Sequence, residues 1–225
     1  MKAKLLLLLS ALALMFLLMP VGYSYVRAQL LQVGMSWTIS EWSYYALLLC
    51  VGVAIAWQLV RIVPLRVRWQ RIVLGFAVAI LSFVLGFAQH PIYEDMVWNM
   101  AHDMSAEKTL SDYENADLVV IAIADCPYCK RAVSELNALH ARNAALRMRM
   151  VVCTADSSWM QTYRSEADES IEVKMASDMN RLATQAGGHF PAYVLVREGK
   201  PVWRWTNNEW GPVAKDVVEG VANGE

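Results

Sequence analysis

The sequence predicts two unlike modules: an N-terminal region of three membrane-spanning helices and a C-terminal α/β domain of element order β-α-β-α-β-β-α. Three observations carry this. Long uncharged apolar runs are confined to residues 1–89. The charge is divided: residues 1–89 hold seven basic side chains against one acid, and residues 90–225 hold thirteen basic against twenty acidic, which the net charge of −1 conceals. Beyond residue 117, short β-branched runs alternate with helical patterns, the signature of strands joined by crossover helices. The chain of 225 residues is 56% hydrophobic and only 18% charged, whereas soluble domains carry about a quarter charged residues. A mean hydropathy of +0.29 excludes a disordered chain, which would be polar and charge-rich. The acidic second half lacks the basic patch a nucleic-acid-binding domain needs.

The membrane region is expected over residues 1–89, with spans near 5–22, 42–62 and 72–89. Each run approaches the ~20 apolar residues that cross the ~30 Å hydrocarbon core. Aromatic residues stand near the run ends, among them Trp42, Tyr44, Tyr45, Trp57 and Trp69, as interfacial belts do. Arg61, Arg66, Arg68 and Arg71 fill the link between the second and third runs, and Lys2 and Lys4 flank the first. Basic loops stay cytoplasmic, so everything after Gln89 is expected on the far side, the periplasm of a bacterial inner-membrane protein. Residues 1–28 admit a second reading as a cleaved signal peptide, with Val26-Arg27-Ala28 as a loose cleavage site. No ionisable residue sits mid-span, so no ion or proton path is marked. Cys50 is the one thiol of this half, too few for a transmembrane dithiol relay. Gly75 and Ala79 make a small-xxx-small spacing, read here as ordinary lipid-facing positions.

Residues 90–116 are read as a juxtamembrane amphipathic segment, with Ile92, Met96, Met100 and Met104 recurring on one helical stripe. Thioether and imidazole ligands (His102 lies nearby) suit soft copper. Adaptable methionine packing is the plainer account.

The C-terminal domain is expected over residues 117–225. Leu118–Ala124 is a continuous apolar run, the pattern of a strand buried on both faces. It ends at Asp125-Cys126-Pro127-Tyr128-Cys129-Lys130-Arg131, and a helix follows with Cys129, Val133, Leu136 and His140 on one face. At a helix start, unpaired N–H groups and the macrodipole favour an anion. Pro127 suits the first helical position. Thiolate is the attacking species, so Cys126 is the expected nucleophile. Cys129, one turn on, can resolve a mixed disulfide. Asp125 opposes this by its charge. Two other readings of the pair were weighed. Structural zinc wants four ligands, and neither a second pair nor suitably spaced histidines are present. A structural disulfide usually closes a longer loop.

Leu146–Cys153 reads as the second strand. Met175, Met179, Leu182, Ala183 and Ala186 read as a second helix begun near Ser177, ended by Gly187-Gly188. Ala192–Arg197 and Pro201–Trp205 form a hairpin, and Val213, Val217 and Val221 mark a final helix. Cys153, at a strand end, is either a third exchanging thiol or a small buried hydrophobe. Thr154–Lys174, with Trp159 and Tyr163, is either a partner-recognising insertion or a solvated loop.

On these residues the domain resembles the thioredoxin superfamily, and Cys126-Pro127-Tyr128-Cys129 followed by Lys130-Arg131 is similar to the glutaredoxin motif. The resemblance implies that Pro191 is a cis-proline facing the dithiol. It also implies that Phe190, Pro127 and Tyr128 shape a substrate groove, and that no metal or organic cofactor is used. It departs where the first core strand lacks an acid and where Trp203–Asn208 replaces a glycine pair. The expected function is a membrane-anchored thiol–disulfide oxidoreductase, direction open, acting on periplasmic protein thiols and disulfides. It would need the lipid bilayer and a redox-recycling membrane or periplasmic partner. The rival reading is a non-catalytic thioredoxin-fold subunit of a membrane assembly, motivated by three spans and by Trp203, Trp205 and Trp210 as exposed aromatics.

Overall fold

The computed structural model describes residues 22–62, 67–89 and 101–222, and the chain divides into two compact units, 1–92 and 93–225. The first apolar run, Lys2, Lys4, Ile92, Met96 and Met100 lie outside the described residues.

In the first unit, helix α1 (Tyr23–Gln32) ends at Gly34, whose φ of 85° suits only a residue without a side chain. Helix α2 (Trp37–Ile62) starts where the Ser36 hydroxyl accepts from the Ile39 N–H, 3.2 Å. Helix α3 is Arg68–Gln89. Helices α2 and α3, 26 and 22 residues, are long and apolar enough to cross a membrane. The Val26-Arg27-Ala28 segment lies within α1, where Arg27 pairs with buried Glu41 at 3.4 Å and the Tyr23 hydroxyl donates to the same carboxylate. Close packing of α2 on α3 rests on small residues. A Cβ at Gly52 would meet Ser82 Oγ at 2.7 Å, and one at Gly86 would meet Leu48 at 2.2 Å. Of the predicted small-residue pair, Ala79 is buried in this contact and Gly75 faces open space.

The second unit holds a six-stranded mixed sheet. Its elements are β1 (His102–Asp103), a 3₁₀ turn (Ser111–Tyr113), β2 (Leu118–Ile123), α4 (Pro127–Arg142), β3 (Met148–Cys153), α5 (Ser157–Glu166), β4 (Glu172–Met175), α6 (Met179–Gln185), β5 (Ala192–Arg197), β6 (Lys200–Thr206) and α7 (Pro212–Ala222). The spatial order is β1-β6-β5-β2-β3-β4. Strands β2, β3 and β4 run parallel; β5 and β6 are antiparallel to their neighbours. The hairpin between β5 and β6 turns through Glu198 and Gly199, both at positive φ, as a two-residue primed turn requires.

Because strand side chains alternate, the sheet has two covers. Val119, Ile121, Val151, Val194 and Val196 face a core closed by Leu182 and Ala186 of α6 and by Met104, Leu110 and Tyr113. Tyr193, on the other face, senses the charges of Glu135 and Arg131 from α4 and stacks on Trp210, 4.1 Å between ring centres. Ion pairs Lys215–Glu135 (2.9 Å) and Arg142–Glu219 (2.8 Å) join α7 to α4 on that side.

Five expectations are corrected. The predicted order lacked β1, α5 and β4. Thr154–Lys174 is not a loop: Asp156 caps α5 through the Ser158 N–H (2.9 Å), and Val173 is buried where β4 pairs with β3. Met175 ends that strand rather than starting a helix, and α6 is capped by Asp178, whose side chain accepts from the Arg181 N–H. Residues 101–116 pack into the second unit, and Met104 is a core side chain following a strand, with His102 engaged by Glu209 at 3.2 Å. Of the three tryptophans read as exposed, Trp205 and Trp210 are buried and only Trp203 is open.

Candidate active site

Strand β2 delivers the chain to the sheet's C-terminal edge, and Asp125 reverses it. Its φ of 51° lies in the left-handed region, which Asp tolerates better than most residues. Cys126 then caps α4 with extended backbone (φ −108°, ψ 109°), and Pro127 occupies the first turn. The Cys129 N–H donates to Cys126 Sγ at 3.0 Å. A cysteine in the N-cap position takes the place of the usual Ser or Asp oxygen, so the first-turn donor is already aimed at the sulfur where a thiolate would form. Cys126 and Cys129 are joined as a disulfide with Cα atoms 5.2 Å apart. Their burial differs: Cys126 is 6% exposed and Cys129 fully buried, so Cys126 is the nearer of the two to solvent.

The surroundings mix apolar and basic groups. Pro127 and Tyr128 are exposed. Arg131 lies over the Tyr128 ring at 5.8 Å, and Lys130 over the Trp159 ring at 5.8 Å. Both cations beside the motif therefore rest on aromatic faces, a stabilising arrangement.

The Phe190–Pro191 peptide bond is cis. Ala192, the next residue, pairs with Ile121 of β2, so register puts Pro191 at the same sheet edge as Cys126. Pro191 is buried, and Phe190 is partly buried against the core on the α6 side. Two left-handed glycines, Gly187 and Gly188, lead into this turn. A Cβ at Gly187 would meet Arg204 at 2.5 Å, and that guanidinium donates to Gln185 O at 2.7 Å.

Cys153 pairs in register with Ile123, yet its side chain belongs to the core with Val151 and Phe190, the face away from α4. Burial, helped by the charge of Asp112, pushes its thiol up to about 11. A thiol so protonated at neutral pH is a poor nucleophile. Among the described residues no group of three or more His, Cys, Asp or Glu side chains could hold a metal ion.

Tyr163 was not singled out as a site residue from sequence. It is fully buried, and its hydroxyl donates to Ile123 O at 2.8 Å, one end of the turn that carries the motif. Its signal was the four-residue spacing from Trp159, one face of a helix.

Residues 95–206 match the Redoxin family model. No curated protein matches the chain. Two solved structures resemble it in part. A secreted Mycobacterium tuberculosis disulfide oxidoreductase homologous to E. coli DsbE is 19% identical, covering 48% of this chain and 80% of that one, with a TM-score of 0.36. A thioredoxin-like protein from Bacteroides caccae is 10% identical over 90% of this chain and 76% of that one, with a TM-score of 0.35. The sheet order and the dithiol at the head of α4 give the second unit a thioredoxin-like α/β fold, in keeping with the Redoxin match over residues 95–206.

Proposed function

We propose that this chain is a membrane-anchored thiol–disulfide oxidoreductase of the bacterial inner membrane, with its C-terminal domain in the periplasm and protein thiols or disulfides as substrates. The observation that carries the reading is the Cys126–Cys129 pair at the start of α4, with a backbone donor on Cys126 Sγ and Cys126 the less buried of the two. Helices α2 and α3 support the anchor by length and composition.

In the reducing direction the Cys126 thiolate attacks a substrate disulfide. One S–S bond breaks, a mixed disulfide forms, and one substrate sulfur leaves as thiolate. Cys129 then loses its proton and attacks Cys126 Sγ, and the second substrate thiolate leaves. Two electrons pass to the substrate, and the chain is left as its own disulfide. The oxidising direction is the same sequence reversed. Either direction needs a recycling partner, a dithiol for reduction or a disulfide for oxidation. Pro127, Tyr128 and Phe190 form the apolar surface on which a substrate segment would lie, and Pro191 sets the edge opposite the dithiol.

The full chain in detergent, equilibrated with dithiothreitol and assayed on the disulfides of insulin, tests this. Cys126→Ser is expected to abolish exchange. Cys129→Ser is expected to accumulate a mixed disulfide at Cys126, seen on non-reducing gels. Exchange at the parent rate in the double variant would overturn the reading.

A further inference from the structure

We infer that Tyr163 is a positioning residue for the nucleophile: helix α5 uses its phenol to hold the turn that delivers Cys126 to Cys129. The inference rests on the thiol–disulfide reading and deepens it. Turn residues Ala124 and Asp125 separate the last β2 residue from Cys126, and Asp125 is held at a positive φ. Such a turn relaxes unless its neighbours fix it. Tyr163 fixes it from below. Its ring has no exposed surface, and its hydroxyl donates to Ile123 O at 2.8 Å. The phenol thus holds the last residue of β2, where the turn begins.

Helix α5 is itself tied to α4, so the phenol is not a loose prop. Asn137 donates from Nδ2 to Glu166 O and accepts from the Asp168 N–H, both at 2.9 Å. At the other end Lys130 lies over Trp159, which packs against Tyr163 with ring centres 6.4 Å apart. The position of Cys126 Sγ relative to the Cys129 N–H therefore depends on a side chain from outside the β2–α4 segment. Slackening the Sγ contact removes a donor from the thiolate and so raises the pH at which Cys126 ionises.

The test is the pH dependence of iodoacetamide alkylation at Cys126. It uses the reduced full chain in detergent, read peptide by peptide by mass spectrometry. Tyr163→Phe keeps the ring and removes the hydroxyl. Its alkylation midpoint is expected about one pH unit above the parent, which is about tenfold slower reaction below the midpoint. Asn137→Ala loosens the α4–α5 tie but leaves the hydroxyl on Ile123 O, and is expected to shift the midpoint clearly less than Tyr163→Phe does. A Tyr163→Phe midpoint equal to the parent, or an equal shift in Asn137→Ala, would overturn the inference. Amide exchange in the unmodified chain tests it independently of whether Tyr163→Phe folds. The amides of the turn, Ala124 to Cys126, are expected to exchange slowly, and exchange at the rate of a free loop would also overturn it. If the parent chain exchanges no disulfides at all, the functional reading fails instead, a result the insulin assay identifies separately.

Discussion

The two covers of the sheet are built on different principles, and the active site draws from both. The α4 and α7 cover is regular: two helices of 16 and 11 residues, joined through ion pairs at their boundary and supplying the dithiol. The opposite cover is irregular. It combines the seven-residue α6 with a segment that is mostly coil and turn, residues 101–116, and it holds a fully buried carboxylate, Asp112. Asp112 pairs with Lys174 of β4 at 3.1 Å, accepts from the Ser177 hydroxyl and N–H, and its carbonyl accepts from Arg149. The regular cover needs few specific polar contacts because periodic apolar faces orient it. The irregular one has no such periodicity, and buried polar groups fix its position instead. That side leads into the Phe190–Pro191 turn.

If this contrast is right, polar substitutions should cost far more on the irregular side. The largest effect is expected for Asp112→Ala, which strips a buried network of its acceptor and leaves Lys174 and Ser177 without it. About 3 kcal/mol of stability should be lost in urea unfolding. Gly187→Ala should follow at about 1–2 kcal/mol, since its φ of 67° disfavours a side chain and Arg204 occupies the space. Both should also slow insulin reduction, because both disturb the approach to Pro191.

Smaller still is a pH effect. The Cys153 thiol is neutral in the folded protein up to about 11 and, in an unfolded chain, only up to its ordinary value of 9.0. Between these values the unfolded state binds fewer protons, so stability falls as pH rises. Thermal unfolding from pH 8 to 11 should therefore decline less steeply in Cys153→Ala than in the parent. Glu135→Gln on the regular cover should cost least, under about 1 kcal/mol, because its carboxylate is partly exposed and screened. A cost for Glu135→Gln matching that of Asp112→Ala would break the comparison.

The same contrast decides what the sequence revealed. Cys126, Pro127 and the α4 face were legible because a strand, a capping cysteine and a helical stripe each carry a local signal. So were β5 and β6, through two strand-like runs at hairpin spacing on either side of Glu198-Gly199. Strand β4 escaped because four residues with one buried position, Val173, cannot be told from a loop by pattern, and Met175 matched the helical spacing of Met179. Residues 101–116 escaped because their place is set by contacts such as Tyr113 to Gln185 (2.7 Å), 72 residues apart. Tyr163 belongs to this group: its helix has a local signature, but its hydroxyl's partner at Ile123 is visible only in three dimensions. The valine stripe did mark the last helix, Pro212–Ala222.

The meshing of α2 with α3 has one last consequence. Leu48 and Gly52 turn toward the neighbouring helix, and Cys50, between them, turns outward and is exposed. That thiol is a natural depth gauge. In lipid vesicles a charged maleimide that labels residue 50 only after detergent is added would locate the middle of this helix in the oily interior. The reporter would sit well apart, along the chain, from the Cys126–Cys129 pair.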